Sequence, residues 1–365
     1  MPYVKPMPAY YVHTLPGLER IAWDEAQARL PGAASQGFKK VYRRNGLALL
    51  AYDGPAEDLL KLRTAEDVFA VAAQMPVAWG YQGFSETYEA LVKGRWLRPL
   101  SPHLAARGLG HPQARIAFRL VTRLSGPQQP YNRSDLERSI SRAIEKATKG
   151  RWQAADDRAQ VELWANLIGR EFLLGLRLSD PTMRHRDYKV AHLPASLRPS
   201  AAAAMVWLSR PEADDVLLDP FCGAGTIVIE RALMGRYRLL LGGDLDADAL
   251  AAAAENIGPR HKPRQLLHWD AQALPLDARS VNVVVSNLPF GVQIGDPALV
   301  RALYPAAVTE IARVLAPGGR AVLLASEEEL LQSALARYPA LVVDRHYPVD
   351  LLGQPASIVV AHRTR

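Results

Sequence analysis

The sequence predicts an α/β protein whose C-terminal half is a doubly wound, mostly parallel sheet, preceded by two smaller mixed α/β units. Three observations carry this expectation. Beyond residue 200, short apolar runs alternate with helical patterns, the order that builds parallel strands joined by crossover helices. The first 75 residues read strand, helix, strand, strand, helix, strand, which is a complete small α/β motif. The 365-residue length leaves room for two or three domains, and 49% hydrophobic against 22% charged residues supplies the apolar surface that folded domains bury. No apolar stretch reaches the roughly 20 residues that a membrane span requires, so no membrane partner is expected. The single cysteine, Cys222, excludes an internal disulfide, and the N-terminus lacks a signal-peptide pattern. The default expectation is a cytoplasmic monomer.

Element by element, residues 9–14 read as a strand and 15–30 as a helix with Leu18, Ile21, Trp23 and Ala26 recurring on one face. Strands at 38–42 and 46–52 flank Arg43-Arg44-Asn45-Gly46, which carries the Asn-Gly hairpin signal. A short helix at 56–62 and a strand at 67–74 close a ferredoxin-like unit, expected to span residues 1–75. Helical patterns at 86–91 and 100–107 then lead to a strand at 114–123. The helix at 134–149 opens with Ser134-x-x-Glu137, a capping-box pattern. Strands at 160–168 and 171–179 end a second unit, 76–180.

Charge is distributed unevenly. Net charge is +7, yet residues 1–189 hold 28 Lys and Arg against 19 Asp and Glu, while residues 190–365 hold 16 against 18. Basicity confined to one half points to a polyanionic partner of that half. Arg119, Arg123, Arg133, Arg138, Arg142, Lys146, Lys149 and Arg151 crowd the second unit and outnumber the nearby acids, so a phosphate-facing surface is expected there. The stretch 118–180, with "AFRLVTRLSG", "SDLERSISRAIEKATKG" and "AQVELWANLIGREFLLGLRLSD", resembles a THUMP domain, the RNA-binding module of several tRNA-modifying enzymes. That resemblance implies tRNA as partner, held at its acceptor end.

Residues 181–199 form a linker, and the last unit, 200–365, is regular α/β. Ser200 is the expected cap of an Ala-rich helix ending at Leu208. Strands follow at 215–218, 238–242, 265–269, 280–286 and 320–325, alternating with helices at 226–233, 246–256 and 299–315. Strands at 341–347 and 357–362 would close the sheet as a hairpin. The turn Ala316-Pro317-Gly318-Gly319 precedes the 320–325 strand.

Two segments carry chemistry. Asp219-Pro220-Phe221-Cys222-Gly223-Ala224-Gly225-Thr226 runs from a strand end through a glycine loop into a helix, the place where such sheets bind nucleotides. A dinucleotide fingerprint needs a third glycine where Val228 stands, so NAD is the weaker candidate. Asp244 ends the next strand 19 residues after Gly225, placed to accept both ribose hydroxyls, and Asp270-Ala271 follows the strand after it. Each acid also has a purely structural explanation, Asp219 as a helix cap and Asp270 as a turn residue. The second segment is Asn287-Leu288-Pro289-Phe290-Gly291 at the end of the apolar run Val283-Val284-Val285-Ser286.

The whole of 190–365 resembles the Rossmann-fold S-adenosylmethionine-dependent methyltransferases. By that resemblance the loop from Asp219 to Thr226 holds the cofactor, with Asp219, Gly223 and Gly225 at its methionine moiety. Asp244 then takes the ribose, Leu245 packs on the adenine, and Asp270-Ala271 meets the adenine amine. His192-Leu193-Pro194 would fold over the methionine end. Asn287-Leu288-Pro289-Phe290 resembles the (Asp/Asn)-Pro-Pro-(Tyr/Phe) signature of amino-directed nucleic-acid methyltransferases, and Leu288 at its second position matches the THUMP-bearing tRNA guanine-N2 branch. Such chemistry has a clear physical need. An exocyclic amine delocalises its lone pair into the ring, so acceptors at Asn287 Oδ1 and at the Leu288 or Pro289 carbonyl would favour a pyramidal, nucleophilic nitrogen. Phe290 offers a stacking face for an extruded base. The order of the whole chain is similar to the tRNA guanine-N2 methyltransferases acting at position six of the acceptor stem. A ribosomal RNA guanine-N2 methyltransferase and a tRNA-binding protein with a vestigial pocket stand as alternatives. No metal is expected, because no histidine has a Cys or carboxylate at ligand spacing.

Overall fold

Strand alternation in the first half builds a sheet with an apolar core on each face. The computed structural model describes residues 7–41, 45–194, 196–290, 297–351 and 353–365, and the chain divides into two compact units, residues 1–14 with 22–183 and residues 15–21 with 184–365. The first unit contains β1 (Ala9–Thr14), α1 (Glu19–Arg29), β2 (Ala34–Val41), β3 (Asn45–Ala51), α2 (Ala56–Leu59), β4 (Asp67–Pro76), α3 (Tyr81–Val92), α4 (Leu97–Ala106), β5 (Ile116–Ser125), α5 (Arg133–Ala147), β6 (Trp152–Ala154), β7 (Val161–Ile168) and β8 (Glu171–Arg177). The start of α1, through Ile21, belongs to the second unit.

The eight strands form one sheet in the order β2-β3-β1-β4-β8-β7-β5-β6. Its first four strands keep the ferredoxin-like order. Because β4 pairs antiparallel with both β1 and β8, the boundary expected between residues 75 and 76 falls inside a continuous sheet. The period-2 alternation of β4 shows why: Val68, Ala70 and Ala72 enter one core while Phe69 and Val71 enter the other. α5 buries Leu136, Ile140, Ala143 and Ile144. It starts earlier than Ser134 would have it, since Asn132 and Asp135 form the capping box. Asn caps at least as well as Ser, and the pattern two residues upstream wins.

The second unit follows a short turn of helix, α6 (Thr182–His185), with α7 (Pro199–Leu208), β9 (Val216–Asp219), α8 (Thr226–Leu233), β10 (Leu239–Asp244), α9 (Ala247–Ile257), β11 (Arg264–His268), β12 (Val281–Asn287), α10 (Pro297–Val314), β13 (Leu315–Ala325), α11 (Glu328–Leu335), β14 (Leu341–Leu351) and β15 (Gln354–Arg363). Ser200 is not the cap of α7. The helix begins at Pro199, with Arg198 at the cap position and no side-chain cap bond, because proline's fixed φ is already helical at the first position. The sheet order is β11-β10-β9-β12-β13-β15-β14, parallel from β11 to β13 and antiparallel at the β14–β15 hairpin. The expected turn at 316–319 is absorbed at the start of β13 as a shift in register. Leu15, Leu18 and Ile21 are buried in the core of this unit. Winding reverses between β9 and β12, which opens a crevice at their carboxyl ends. Arg43, Arg44 and Gly291, named above, lie outside the described residues, as do positions 42 and 195 of the expected strand and linker.

Candidate active site

Four strand ends supply the site. β9 delivers Asp219, whose Oδ1 accepts from Ser286 Oγ on β12 at 2.6 Å and from the Phe221 N–H at 3.3 Å. Asp219 is buried, and that burial pushes its pKa up to about 7, against the pull of the Ser286 and Phe221 donors and with a further push from Asp244. The group therefore sits between its neutral and anionic forms near neutral pH. Beyond it the loop tightens through Gly223 and Gly225, at φ of 50° and 77°. A Cβ on Gly223 would enter open space, whereas one on Gly225 would come 3.2 Å from Ala253 Cβ on α9. The first glycine leaves the loop open to a ligand, and the second lets α8 and α9 pack closely.

Asp244 at the end of β10 is oriented from two sides. Its Oδ2 accepts from the Gly223 N–H at 2.9 Å and its Oδ1 from the Asp246 N–H at 3.1 Å. Leu245 follows with 64% of its surface exposed, an apolar side chain at the crevice with no core duty. Asp270 is engaged in its own turn, accepting from the Gln272 N–H at 2.9 Å and from Gln272 Nε2 at 3.4 Å, and Ala271 is buried. The Cys222 thiol is buried and pushed to higher pKa by that burial, which removes it as a nucleophile.

β12 pairs with β9 through Val283 with Leu217 and Val284 with Leu218, which places Asn287 beside the glycine loop. Asn287 Oδ1 is a buried acceptor without a hydrogen-bond partner among the described residues. A buried unpaired acceptor is costly unless a ligand supplies the donor. Leu288 is buried, and its N–H donates to the Leu324 carbonyl at 2.9 Å. The Pro289 carbonyl accepts from Tyr304 Oη at 3.0 Å, and the Phe290 carbonyl from Ser326 Oγ at 3.4 Å. Phe290 is half-buried against the core.

Three contributors escaped the sequence. Trp269 lies over Gly243, where a Cβ would meet its ring at 1.9 Å, and its Nε1 donates to the Pro220 carbonyl at 3.3 Å. Asn256 on α9 clasps the segment before α7: the Ala191 N–H donates to its Oδ1 at 2.8 Å, and its Nδ2 donates to the Ala191 and Ala224 carbonyls at 3.1 and 3.0 Å. Tyr304 is the third. A glycine directly before a strand's last acid hinted at Gly243; nothing in sequence marked Asn256 or Tyr304. The clasp brings residue 191 to the glycine loop, while His192 and Pro194 remain exposed and Leu193 is half-buried.

An adenosine-bearing sulfonium fits this donor and acceptor set. A two-oxygen acceptor suits a ribose diol, an exposed leucine suits a flat base, an open glycine loop admits close approach, and a carboxylate held near its pKa suits a cation. The residues present are thus those that S-adenosylmethionine needs.

In the first unit, Arg133, Arg138, Arg142 and Lys146 lie on the exposed side of α5, with Lys149 exposed and Arg151 half-buried just after it. Arg138 and Arg142 line a groove of about 570 Å³ with Phe84 and Tyr88 of α3. Arg119 is exposed on β5, pointing to the sheet face opposite α5 by strand alternation. Arg123 does not join them. It is half-buried, bonded to Asn45 Oδ1, with its guanidinium 4.3 Å from the Trp164 ring centroid. Among the described residues no His, Cys, Asp and Glu group could hold a metal, and no helix is long and apolar enough to cross a membrane.

The fold, the glycine loop and the strand-end acids define a Rossmann-type, S-adenosylmethionine-dependent methyltransferase domain. Residues 186–346 match the family described as RMKL-like, methyltransferase domain. In particular, the chain is 30% identical over 265 residues to a tRNA (guanine(6)-N(2))-methyltransferase THUMP3 of Bos taurus, an alignment covering 68% of this chain and 52% of that protein. The chain thus spans about half the length of that mammalian relative. It is 28% identical over 326 residues to a tRNA (guanine(6)-N2)-methyltransferase of Thermus thermophilus, covering 88% of this chain and 90% of the relative. The crystal structure of TrmN from Thermus thermophilus superposes with a TM-score of 0.77 at 26% identity, covering 98% of this chain and 99% of that one.

Proposed function

We propose that this chain transfers a methyl group from S-adenosylmethionine to the exocyclic N2 amine of a guanosine in tRNA, at position six of the acceptor stem. The observation that carries the reading is the buried Asn287 Oδ1, without a hydrogen-bond partner among the described residues, at the end of β12 beside a loop that fits the cofactor. An acceptor in that place suits an N–H donor, and an exocyclic amine offers two. The similarity to tRNA guanine(6) methyltransferases over most of the chain supports guanine as the base.

S-adenosylmethionine, when bound, supplies an electrophilic methyl on a sulfonium. The protein supplies position. Asp244 holds the ribose end and the Asp219 loop the amino-acid end, while the Asn256 clasp on residue 191 keeps the segment before α7 beside the glycine loop. Asn287 and a neighbouring backbone carbonyl accept the two amine hydrogens, and Phe290 supports the extruded base. Because the step is an in-line displacement, most of the rate comes from holding donor and acceptor in line. The first unit serves as a THUMP-type RNA-binding module, with the exposed cations of α5 facing phosphate. Incubation with methyl-labelled cofactor and separated tRNA and rRNA, followed by digestion to nucleosides, should place the label on N2-methylguanosine from tRNA. Label only in rRNA, or on another nucleoside, would refute the assignment.

A further inference from the structure

Tyr304 lies on α10, remote in sequence from the glycine loop and from Asn287, and none of its surface is exposed. A buried phenol needs a reason for its hydroxyl, because the unpaired group costs more than the ring gains over phenylalanine. Here the hydroxyl donates to the Pro289 carbonyl at 3.0 Å. Burial pushes its pKa up to about 12, opposed by hydrogen bonds from Ser326, so it remains a protonated donor at any working pH. Ser326 also donates to the Phe290 carbonyl at 3.4 Å, and Leu288 is pinned by its N–H bond to Leu324. Three successive residues after Asn287 are thereby tied down from β13, from the residue that follows it and from α10.

We infer that Tyr304 is a positioning residue for methyl transfer: its hydroxyl holds the Pro289 carbonyl and thereby fixes the segment that follows Asn287. The inference rests on the proposed amine methylation at this loop. Because the proline ring already fixes φ at residue 289, holding its carbonyl leaves only ψ of that residue between this bond and the peptide plane that follows Leu288.

The Tyr304→Phe variant removes the hydroxyl and keeps the ring, so the core stays filled. Its first test needs no turnover. The sequence contains two Pro-Phe pairs, Pro220-Phe221 and Pro289-Phe290, so protein labelled with carbonyl-13C proline and 15N phenylalanine gives two resolvable carbonyl signals, and the variant creates no third pair. In Tyr304→Phe the Pro289 signal should move upfield while the Pro220 signal stays. An unmoved Pro289 signal would overturn the inference. The second test is kinetic. With tRNA and S-adenosylmethionine, kcat should fall by 10-fold or more, with the cofactor Kd by calorimetry and the KM for tRNA within twofold. Unchanged kcat, or a loss that tracks a matching change in Kd and KM, would also overturn it. A wild-type product other than N2-methylguanosine would instead sink the guanine assignment, and the effect of Tyr304→Phe would then be measured on that product.

Discussion

Asp219 is a buried carboxylate at the candidate site, and its titration is measurable from outside. Its folded pKa of about 7 is raised from 3.8, so between those values the folded chain holds a proton that the unfolded chain has released. Stability from this group is complete below the unfolded pKa and is lost as pH rises through about 7. Relative to wild type, Asp219→Asn should therefore gain thermal stability as pH rises from 4 to 7 and level off above. A difference in Tm independent of pH would contradict that. A cationic ligand favours the ionised form, so S-adenosylmethionine binding near neutral pH should release protons, read as a dependence of calorimetric heat on buffer ionisation enthalpy. The residues bearing these roles were partly legible: Asp219, Gly223, Gly225, Asp244 and Asn287 stand at strand ends because local pattern places strand ends. Trp269, Asn256 and Tyr304 were not legible, since each reaches the site from an element whose register only tertiary packing decides. Asp270 illustrates the converse, its carboxylate being shared with its own turn.

At the scale of elements, the close approach of Trp269 to β10 has a direct consequence. Gly243→Ala would put a methyl group 1.9 Å from the ring, and the ring, itself buried and bonded to Pro220, has little room to retreat. The substitution should cost about 1 to 3 kcal/mol, the usual penalty of overpacking, and should also weaken cofactor binding because Trp269 steadies the Pro220 carbonyl. Calorimetric unfolding that matches wild type would show that the ring moves freely. Strands and long helices were well marked in sequence because apolar periodicity reports the buried face directly. β6 escaped as a three-residue edge strand, and α11 as a short helix following β13. Caps were the least legible features: two overlapping patterns at 132–137 both satisfy the capping rule, and only packing of Leu136 and Ile140 decides between them.

For the whole molecule, charge and chain topology make separate demands. Reversing two exposed cations of the α5 groove, Arg138→Glu with Arg142→Glu, should weaken tRNA binding and reduce the slope of log affinity against log salt by roughly 1 to 2, as fewer counterions are released. Cofactor affinity should stay unchanged. An unaltered tRNA affinity would place the RNA surface elsewhere. This test uses the full chain because a fragment beginning near residue 190 would lack Leu15, Leu18 and Ile21, three buried members of the catalytic unit's core, and losing even one such side chain costs about 2 to 5 kcal/mol. The return of residues 15–21 to the second unit was invisible in sequence, where Leu18 and Ile21 read only as one apolar helix face. The α/β class and the parallel order of the second unit were legible, because alternation of strand and helix leaves few topologies. The most direct measurement is mapping of the methylated nucleotide in tRNA treated with the wild-type protein and with Asn287→Ala, with the released nucleoside identified by co-elution with isomeric methylguanosine standards. A single N2-methyl on the guanosine at position six, abolished in Asn287→Ala while the cofactor and tRNA Kd values hold, is the expected result; a methyl on a ring nitrogen or ribose, or full activity of the variant, would contradict it.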